Sequence, residues 1–212
     1  DLLNTNIDVK GKAYEEIVGS NLRGDRGEFF TPSNITHMVV NMLNPSMNER
    51  ILDCACGTGG FLVKAMTYVM AALKDEFSKK LGKSTKHWNY EERLLYQERI
   101  AELGRKNFFG FDINPDLVKA TKMNMAMYND GSGYIMQTNS LLPPHEWTNE
   151  FKEKLAGALL IDKKELRSHE NIALFDVVLT NPPFGSAIPI KDDTILSQYE
   201  LAHIWENKTT PG

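Results

Sequence analysis

The stretch Arg50-Ile51-Leu52-Asp53-Cys54-Ala55-Cys56-Gly57-Thr58-Gly59-Gly60-Phe61 decides the fold class of this chain. Its first four residues predict a short buried strand, because an apolar pair leads directly into an acidic residue and a glycine-rich turn. Behind the turn, apolar residues recur every four positions and predict one face of a helix: Phe61, Ala65, Val69 and Leu73. A strand, a turn and a helix in this order are typical of α/β proteins.

Three further apolar runs predict strands of the same kind, at Phe108–Asp112, Gly133–Gln137 and Phe175–Thr180. Helical patterns separate them. One begins at Asn114-Pro115, where a capping residue precedes a proline at the first helical position. We therefore expect an α/β fold with a parallel sheet and right-handed crossovers.

A helix is also predicted ahead of the first strand. Thr31 is its expected N-cap and Pro32 its first helical residue. Its apolar face is expected to consist of Ile35, Met38, Val39, Met42 and Leu43. Between the second helix and the second strand, residues 74–106 are predicted to form a polar, helical insertion.

Composition argues against a free-standing DNA-binding protein. The chain has 212 residues, of which 42% are hydrophobic and 25% charged, as in ordinary globular domains, and its net charge is −4. Proteins that bind DNA alone usually carry a basic excess. If the substrate is a nucleic acid, another domain or subunit would therefore have to supply much of the binding affinity. Lys79, Lys80, Lys83 and Lys86 are candidate phosphate contacts, although such runs more often form a solvated helix face.

The two cysteines, Cys54 and Cys56, predict a reduced, cytoplasmic protein. They are one residue apart, which disfavours a disulfide, and the five histidines have no metal-ligand spacing. We expect two small buried thiols and no metal. The sequence has neither a secretory signal nor an apolar run long enough to span a membrane. Both ends are interpreted as cuts in a longer protein.

The predicted ligand site lies at the carboxyl ends of the strands, where parallel sheets bind ligands. Asp53 ends the first strand and can accept hydrogen bonds from an ammonium group. Asp112 ends the second, where a carboxylate can bind both ribose hydroxyls. A nicotinamide-binding frame fits badly, because Leu62 stands where its third glycine should be.

The fourth strand ends in Asn181-Pro182-Pro183-Phe184, the strongest signal in the chain. Consecutive prolines fix the backbone and hold the preceding residues extended. The Asn181 side-chain oxygen and the Pro182 carbonyl can then converge on one planar NH₂ group. Phe184 supplies a stacking face for a flat heterocycle, worth roughly 1–3 kcal/mol per base.

These motifs resemble the adenine-specific DNA methyltransferases that use S-adenosyl-L-methionine. The resemblance rests on residues 181–184 behind an apolar strand, with 53–61 upstream. Two further blocks are similar to the modification subunit of type I restriction-modification systems: Arg26-Gly27-Glu28-Phe29-Phe30-Thr31-Pro32 and Asn124-Met125-Ala126-Met127-Tyr128. The resemblance covers roughly residues 13 to 205, with the blocks in the family's order.

The resemblance implies two sets of site residues and no metal. The target adenine would be held by Asn181, Pro182 and Phe184. For S-adenosylmethionine, the residues that border the methionine end would be Phe30, Thr31 and Pro32. Its amino-acid group would be held by Asp53, Gly57, Thr58 and Gly59. Asp112 would bind its ribose, and Asn139 would contact its adenine.

The sequence departs from the family at two positions. Cys54 stands where proline is common. Asn139, in Asn139-Ser140-Leu141, stands where the third strand usually leads into an aspartate. Asn139 would contact the cofactor's adenine as a neutral donor and acceptor, and weaker binding is expected there.

The resemblance also implies an architecture and partners. It implies a Rossmann-like methyltransferase sheet of seven strands in the order 3-2-1-4-5-7-6, of which this chain would hold the first four. The expected organisation is an N-terminal helical motif over 13–48, a cofactor and target-base core over 49–185, and the tail of a truncated segment over 186–212.

The implied partners are DNA, a specificity subunit and a second modification subunit, with or without a restriction subunit, and no membrane. The fragment alone is expected to be poorly active. The alternatives are a methyltransferase acting on a protein glutamine or an RNA base, and a non-catalytic scaffold of the same fold.

Overall fold

The computed structural model describes residues 31–128, 133–167, 174–183 and 190–200. Helices and strands alternate along these residues. In chain order the elements are α1 (Ser33–Leu43), β1 (Ile51–Asp53), α2 (Gly60–Leu81), a 3-10 turn (Thr85–His87), α3 (Tyr90–Asn107), β2 (Phe108–Asp112), α4 (Pro115–Met127), β3 (Tyr134–Gln137), α5 (Asn149–Leu159), a 3-10 turn (Lys163–Arg167), β4 (Val177–Val178) and α6 (Asp193–Leu196).

The four described strands form one parallel sheet in the order β3-β2-β1-β4. Ile51 of β1 lies opposite Phe108 of β2 on one side and opposite Val177 of β4 on the other. The predicted α/β class with parallel strands is therefore confirmed. The order also matches the first four strands that the family resemblance implied.

Strand residues alternate between two hydrophobic cores, one on each face of the sheet. Ile51, Phe108 and Ile135 belong to the core that the buried sides of α1 to α4 share. The following residues, Leu52, Phe109 and Met136, belong to the other core, built with α5. Because side chains alternate across a strand, covering both faces requires nearly continuous apolar runs, and these runs are what the sequence contains.

Helix α2 buries the face that its spacing predicted, whereas α1 does not. Phe61, Ala65, Val69 and Leu73 are all buried. In α1 the buried residues are Thr36 and Val40. Of the predicted apolar face, only Val39 packs against the core, as a partly buried neighbour. The exposed members are Ile35, Met38, Met42 and Leu43. The prediction was wrong because α1 packs on α2 through only a narrow strip of its surface. The spacing of apolar residues does not indicate which strip of a helix its neighbour covers.

The start of α1 also differs from the prediction. The helix begins at Ser33, so Pro32 occupies the N-cap position and Thr31 lies outside the helix. The Pro32 carbonyl accepts from the backbone N–H groups of Ile35 and Thr36, at 2.9 and 3.1 Å. The Thr31 hydroxyl is instead directed to another part of the chain. By contrast, Asn114 caps α4 as predicted, with its side chain accepting from the Asp116 N–H.

Strand β4 is shorter and more exposed than predicted. Regular pairing covers only Val177 and Val178, and Val178 is 55% exposed. Backbone hydrogen bonds to β1 and the residue before it nevertheless extend beyond both ends of this pair, from Asp176 N to Arg50 O at 2.9 Å and from Leu179 N to Leu52 O at 2.8 Å. The run therefore follows β1 along its length, although it forms the edge of the described sheet.

The basic stretch runs from the end of α2 through the first 3-10 turn to α3, and two of its four candidate lysines are paired within it. Lys80 contacts Glu76 at 2.6 Å, and Lys83 contacts Glu92 at 2.8 Å. These pairs favour the solvated-face interpretation. That residues 74–106 are an insertion stays a prediction. None of the described helices is long and apolar enough to cross a membrane.

Candidate active site

Polar residues follow the ends of all four strands, at one edge of the sheet. Asp53 ends β1, Asp112 ends β2, Asn139 follows β3 and Asn181 follows β4. Parallel strands place their carboxyl ends on the same edge, which gathers residues from distant parts of the sequence. The Thr138 N–H donates to the Asp112 carbonyl at 3.0 Å, and this bond holds the β3 loop against the end of β2.

The Asp112 side chain holds the glycine turn in place. Its Oδ2 accepts from the Gly57 N–H at 2.9 Å, and its Oδ1 accepts from the Asn114 N–H at 2.9 Å. Each oxygen keeps further acceptor capacity, because a carboxylate offers about four lone-pair sites. Asp112 therefore shapes the turn and still presents acceptors at the strand end.

Helix α4 fastens the same turn from the other side. Thr121 Oγ1 donates to the Gly57 carbonyl at 2.6 Å, and Asn124 Nδ2 donates to the Thr58 carbonyl at 3.0 Å. Both side chains are fully buried. Sequence reasoning noted Asn124 only as part of a family block, and it missed Thr121. The available signal was two polar residues three positions apart on the face of α4 that packs inward.

Gly59 occupies a place that no other residue fits without strain. Its φ is +85°, and a Cβ atom there would lie 2.8 Å from Thr121 Cγ2. Gly57 also has a positive φ, +55°, but no atom lies within 4 Å of an added Cβ. The turn thus combines a left-handed backbone with close approach to α4.

Asp53 is a buried carboxyl group at the end of β1, only 2% exposed. The pKa of Asp53 is raised to about 7, chiefly by burial and to a smaller extent by the charge of neighbouring Asp112. Hydrogen bonds from the Ala55 N–H and the Thr180 hydroxyl act in the opposite direction. No salt bridge of the described residues involves Asp53. A desolvated carboxyl beside a second acidic residue suits a cationic ligand group.

The loop after β4 begins beside this carboxyl group. Thr180 hydrogen-bonds to Asp53, so Asn181 follows immediately after the contact. The Asn181 Nδ2 donates to Thr31 Oγ1 at 2.9 Å, which joins this loop to the segment before α1. Pro182 and Pro183 are exposed. Because proline has no backbone N–H, these two residues offer carbonyl acceptors without a backbone donor of their own beside them.

Asn139 has one end of its amide engaged. Its Oδ1 accepts from the Leu141 N–H at 3.1 Å, in a local turn. Next to it, Ser140 Oγ donates to the Cys54 carbonyl at 2.6 Å and ties this loop to the glycine turn. The Asn139 Nδ2 is therefore the end left to meet a ligand.

The expectation of two buried thiols was wrong for Cys54, which is half-buried, whereas Cys56 is buried. Both are free, and burial raises the pKa of the Cys56 thiol above its ordinary value. Cys56 Sγ lies 3.7 Å from Thr121 Oγ1. Cys56 therefore contributes packing and a weak polar contact beneath the turn.

The structure brings most of the predicted site residues to one edge: Thr31, Asp53, Gly57, Thr58, Gly59, Asp112, Asn139 and Asn181. Pro32 lies exposed at the start of α1. Phe30 and Phe184 lie outside the described residues. Sequence reasoning missed Thr121, Ser140 and Thr180, which hydrogen-bond to Gly57, Cys54 and Asp53 respectively. Within the described ranges, no three His, Cys, Asp or Glu side chains form a group that could hold a metal ion.

A family model described as N-6 DNA Methylase matches residues 5–210 of the chain. Among curated proteins, the chain is similar to the type I restriction enzyme EcoEI methylase subunit of Escherichia coli. The two are 29% identical over 178 residues, which cover 82% of this chain and 27% of that protein. The type II restriction enzyme and methyltransferase RM.BcgI of Heyndrickxia coagulans is 28% identical over 203 residues, covering 95% of this chain and 25% of that protein.

A solved structure has a similar fold. It is a modification subunit assigned to a type I restriction enzyme of Vibrio vulnificus YJ016, with a TM-score of 0.57 and 24% identity, and the match covers 92% of this chain and 32% of that one. At this identity the likeness supports the Rossmann-like architecture alone. The chain spans between a quarter and a third of the length of these three proteins.

Proposed function

The chain belongs to the N-6 DNA methylase family, and on that basis we propose that the whole protein methylates the exocyclic amino nitrogen of adenine in DNA. The methyl donor is S-adenosylmethionine, and the setting is the modification subunit of a type I restriction-modification complex. One observation carries the proposal: the Asn181 loop leaves β4 beside Asp53 and the glycine turn, so that a target site adjoins a cofactor site.

The residues at the strand ends fit S-adenosylmethionine. Asp53 is buried without a described cationic partner, which suits the ammonium group of the methionine part. The turn from Gly57 to Gly59 lets the backbone approach the ligand, and the first N–H groups of α2 favour its carboxylate. In the proposal Asp112 binds the ribose hydroxyls and Asn139 contacts the adenine ring. Bound there, S-adenosylmethionine supplies an activated methyl group on a positively charged sulfur.

Asn181 and Pro182 hold the amino group of the target base. The Asn181 Oδ1 and the Pro182 carbonyl each accept one N–H, which directs the nitrogen lone pair away from the ring plane. The proposal also assigns a role to Phe184, which lies outside the described residues: stacking on the base would offset part of the cost of extruding it, a few kcal/mol. Fixing two reactants in one orientation contributes roughly 7–11 kcal/mol to rate enhancement. The chain needs no nucleophile or metal of its own for this task.

Recognition of DNA requires a partner. With a net charge of −4 the chain lacks the basic excess that is typical of an independent DNA-binding protein. A specificity subunit and a second modification subunit supply further phosphate contacts in the proposed complex. RM.BcgI, whose name joins a restriction enzyme and a methyltransferase, matches the chain over a longer stretch than EcoEI does. An experiment must therefore also determine whether the nuclease is part of the same protein or a separate subunit.

The decisive experiment compares the wild type with Asn181→Ala in the full-length protein assembled with its specificity subunit. Labelled S-adenosylmethionine and unmethylated DNA serve as substrates. Loss of the acceptor oxygen is expected to lower kcat by about 10²–10³-fold, the usual effect of removing one hydrogen bond to a reacting group. Affinity for S-adenosylmethionine, from calorimetric titration, is expected to stay within about threefold. Asn48→Ala, at an exposed asparagine before β1, is the matched control.

Parallel assays on RNA and on protein test the alternative substrates. Transfer to either, with none to DNA, would replace the DNA proposal. No binding of S-adenosylmethionine would favour the scaffold. Near wild-type DNA methylation by Asn181→Ala would remove Asn181 from the mechanism.

A further inference from the structure

We propose that Thr31 is a positioning residue for Asn181, whose amide it holds with the oxygen turned toward the target amino group. This inference rests on the proposed function, because it gives Asn181 a purpose that needs one orientation. It assigns Thr31 a role beyond bordering the cofactor, which is all that the family resemblance implied.

The contact joins two segments that are 150 positions apart in sequence. Asn181 Nδ2 lies 2.9 Å from Thr31 Oγ1, and both residues are half-buried. No other described residue hydrogen-bonds to the Asn181 side chain, so its Oδ1 is left for a ligand. A hydroxyl can donate or accept, and here the Thr31 hydroxyl accepts from the nitrogen end of the amide and anchors it.

The backbone of the loop does not fix the amide. Pro182 and Pro183 restrict the main chain around Asn181, yet the final side-chain torsion of asparagine stays broad and roughly two-fold. Rotation by half a turn would exchange the oxygen and the nitrogen. A target amino group offers only hydrogens, so the exchanged amide would present donors to donors and accept nothing.

With Thr31 present, the productive orientation gives both ends of the Asn181 amide a partner. The amide nitrogen donates to the hydroxyl, and the amide oxygen faces the site. Replacing the hydroxyl by a methyl group removes the acceptor and leaves a half-buried N–H without a partner. The amide then loses the contact that anchors it with its oxygen toward the site, and catalysis falls although the pocket keeps its shape.

A cofactor contact and a positioning role predict different kinetics. If the Thr31 hydroxyl served only to bind S-adenosylmethionine, its loss would raise Kd for the cofactor and leave kcat at saturation unchanged. If it positions Asn181, its loss lowers kcat at saturating cofactor and DNA. Serine keeps the hydroxyl and is expected to restore the rate under the second role.

The test uses Thr31→Val, Thr31→Ser and Asn181→Ala in the full-length protein with its specificity subunit. Thr31→Val is expected to lower kcat by roughly 10- to 100-fold, with Kd for S-adenosylmethionine within about threefold of wild type. Thr31→Ser is expected to recover kcat to within about threefold. The matched control is Thr36→Val in α1: among the described residues the Thr36 hydroxyl bonds to the Ser33 carbonyl alone, so kcat should match wild type.

The inference is overturned by a Thr31→Val protein with wild-type kcat, by a change confined to cofactor Kd, or by a Thr31→Ser protein as slow as Thr31→Val. Should Thr31→Val fail to bind cofactor, Thr31→Ala takes its place with the same criteria. The two proposals fail separately. An active Asn181→Ala removes the proposed mechanism, whereas an inactive Asn181→Ala beside a fully active Thr31→Val removes only the role of Thr31.

Discussion

Asp53 shows what a single buried carboxyl group contributes to folding. Its pKa of about 7, against 3.8 when exposed, arises first from burial. Because the folded chain holds this proton more tightly than the unfolded chain, the stabilising contribution is complete below pH 3.8 and is lost as pH rises through about 7. The free energy of unfolding without ligand should therefore fall over this range, by up to roughly 4 kcal/mol from this residue.

Asp53→Asn is expected to remove that part of the pH dependence. Urea unfolding of both proteins at several pH values between 4 and 8 measures it. Exposed carboxylates such as Glu102 are present in both proteins and cancel in the comparison. Parallel stability curves for the two proteins would contradict the assignment. For the wild type, we also expect S-adenosylmethionine affinity to rise with pH up to about 7, since a cation favours the ionised carboxylate.

Asn139 offers a second test at the residue scale. Its Oδ1 is engaged with the Leu141 N–H, so the neutral amide presents a donor to the cofactor's adenine. An aspartate would keep that local bond and add an acceptor for the adenine amino group. Asn139→Asp should tighten S-adenosylmethionine binding by about three- to tenfold, roughly one hydrogen bond. Calorimetric titration measures the change, and weaker binding by the variant would show that the amide donor matters more.

Among the secondary-structure elements, the glycine turn and α4 act as one unit. Gly59→Ala would place a Cβ atom 2.8 Å from Thr121 Cγ2 at a φ of +85°. We expect a loss of about 1–3 kcal/mol in stability and weaker cofactor binding, because the turn must move away from α4. Gly60→Ala is the matched control, since no atom lies within 4 Å of its added Cβ. Thermal unfolding gives the midpoint temperature of each variant. Equal midpoints would contradict the prediction, because the turn would then accommodate the added methyl group without loss of stability.

For the whole molecule, charge predicts dependence on a partner. The chain has a net charge of −4, and described lysines of α2 and α3 such as Lys80 and Lys106 pair with glutamates of their own helices. Residues 1–212 alone should bind a duplex no better than a non-specific protein, with Kd of about 10⁻⁴–10⁻⁶ M at physiological salt, and should methylate it poorly. Fluorescence anisotropy tests this, and tight, salt-resistant binding by the fragment would contradict it.

The amino-acid sequence by itself determined the fold class and the four strand positions. Continuous apolar runs such as Phe108–Asp112 report burial on both faces of a parallel sheet, and the residues after each run must share one edge. Local capping at Asn114 was also predictable, because its bond to Asp116 spans two residues. Local physics decides these features.

Only the tertiary structure decided the rest. The buried stripe of α1 depends on how that helix packs on α2, so the face predicted from periodicity was wrong. Thr31 is the clearest case: the local pattern predicts a helix cap, yet its hydroxyl accepts from Asn181 Nδ2 across the fold. The bonds of Thr121 and Asn124 to the glycine turn, and the raised pKa of Asp53, likewise come from groups distant in sequence. The local sequence pattern does not identify the partners in such contacts, because the partners meet only after the sheet has assembled.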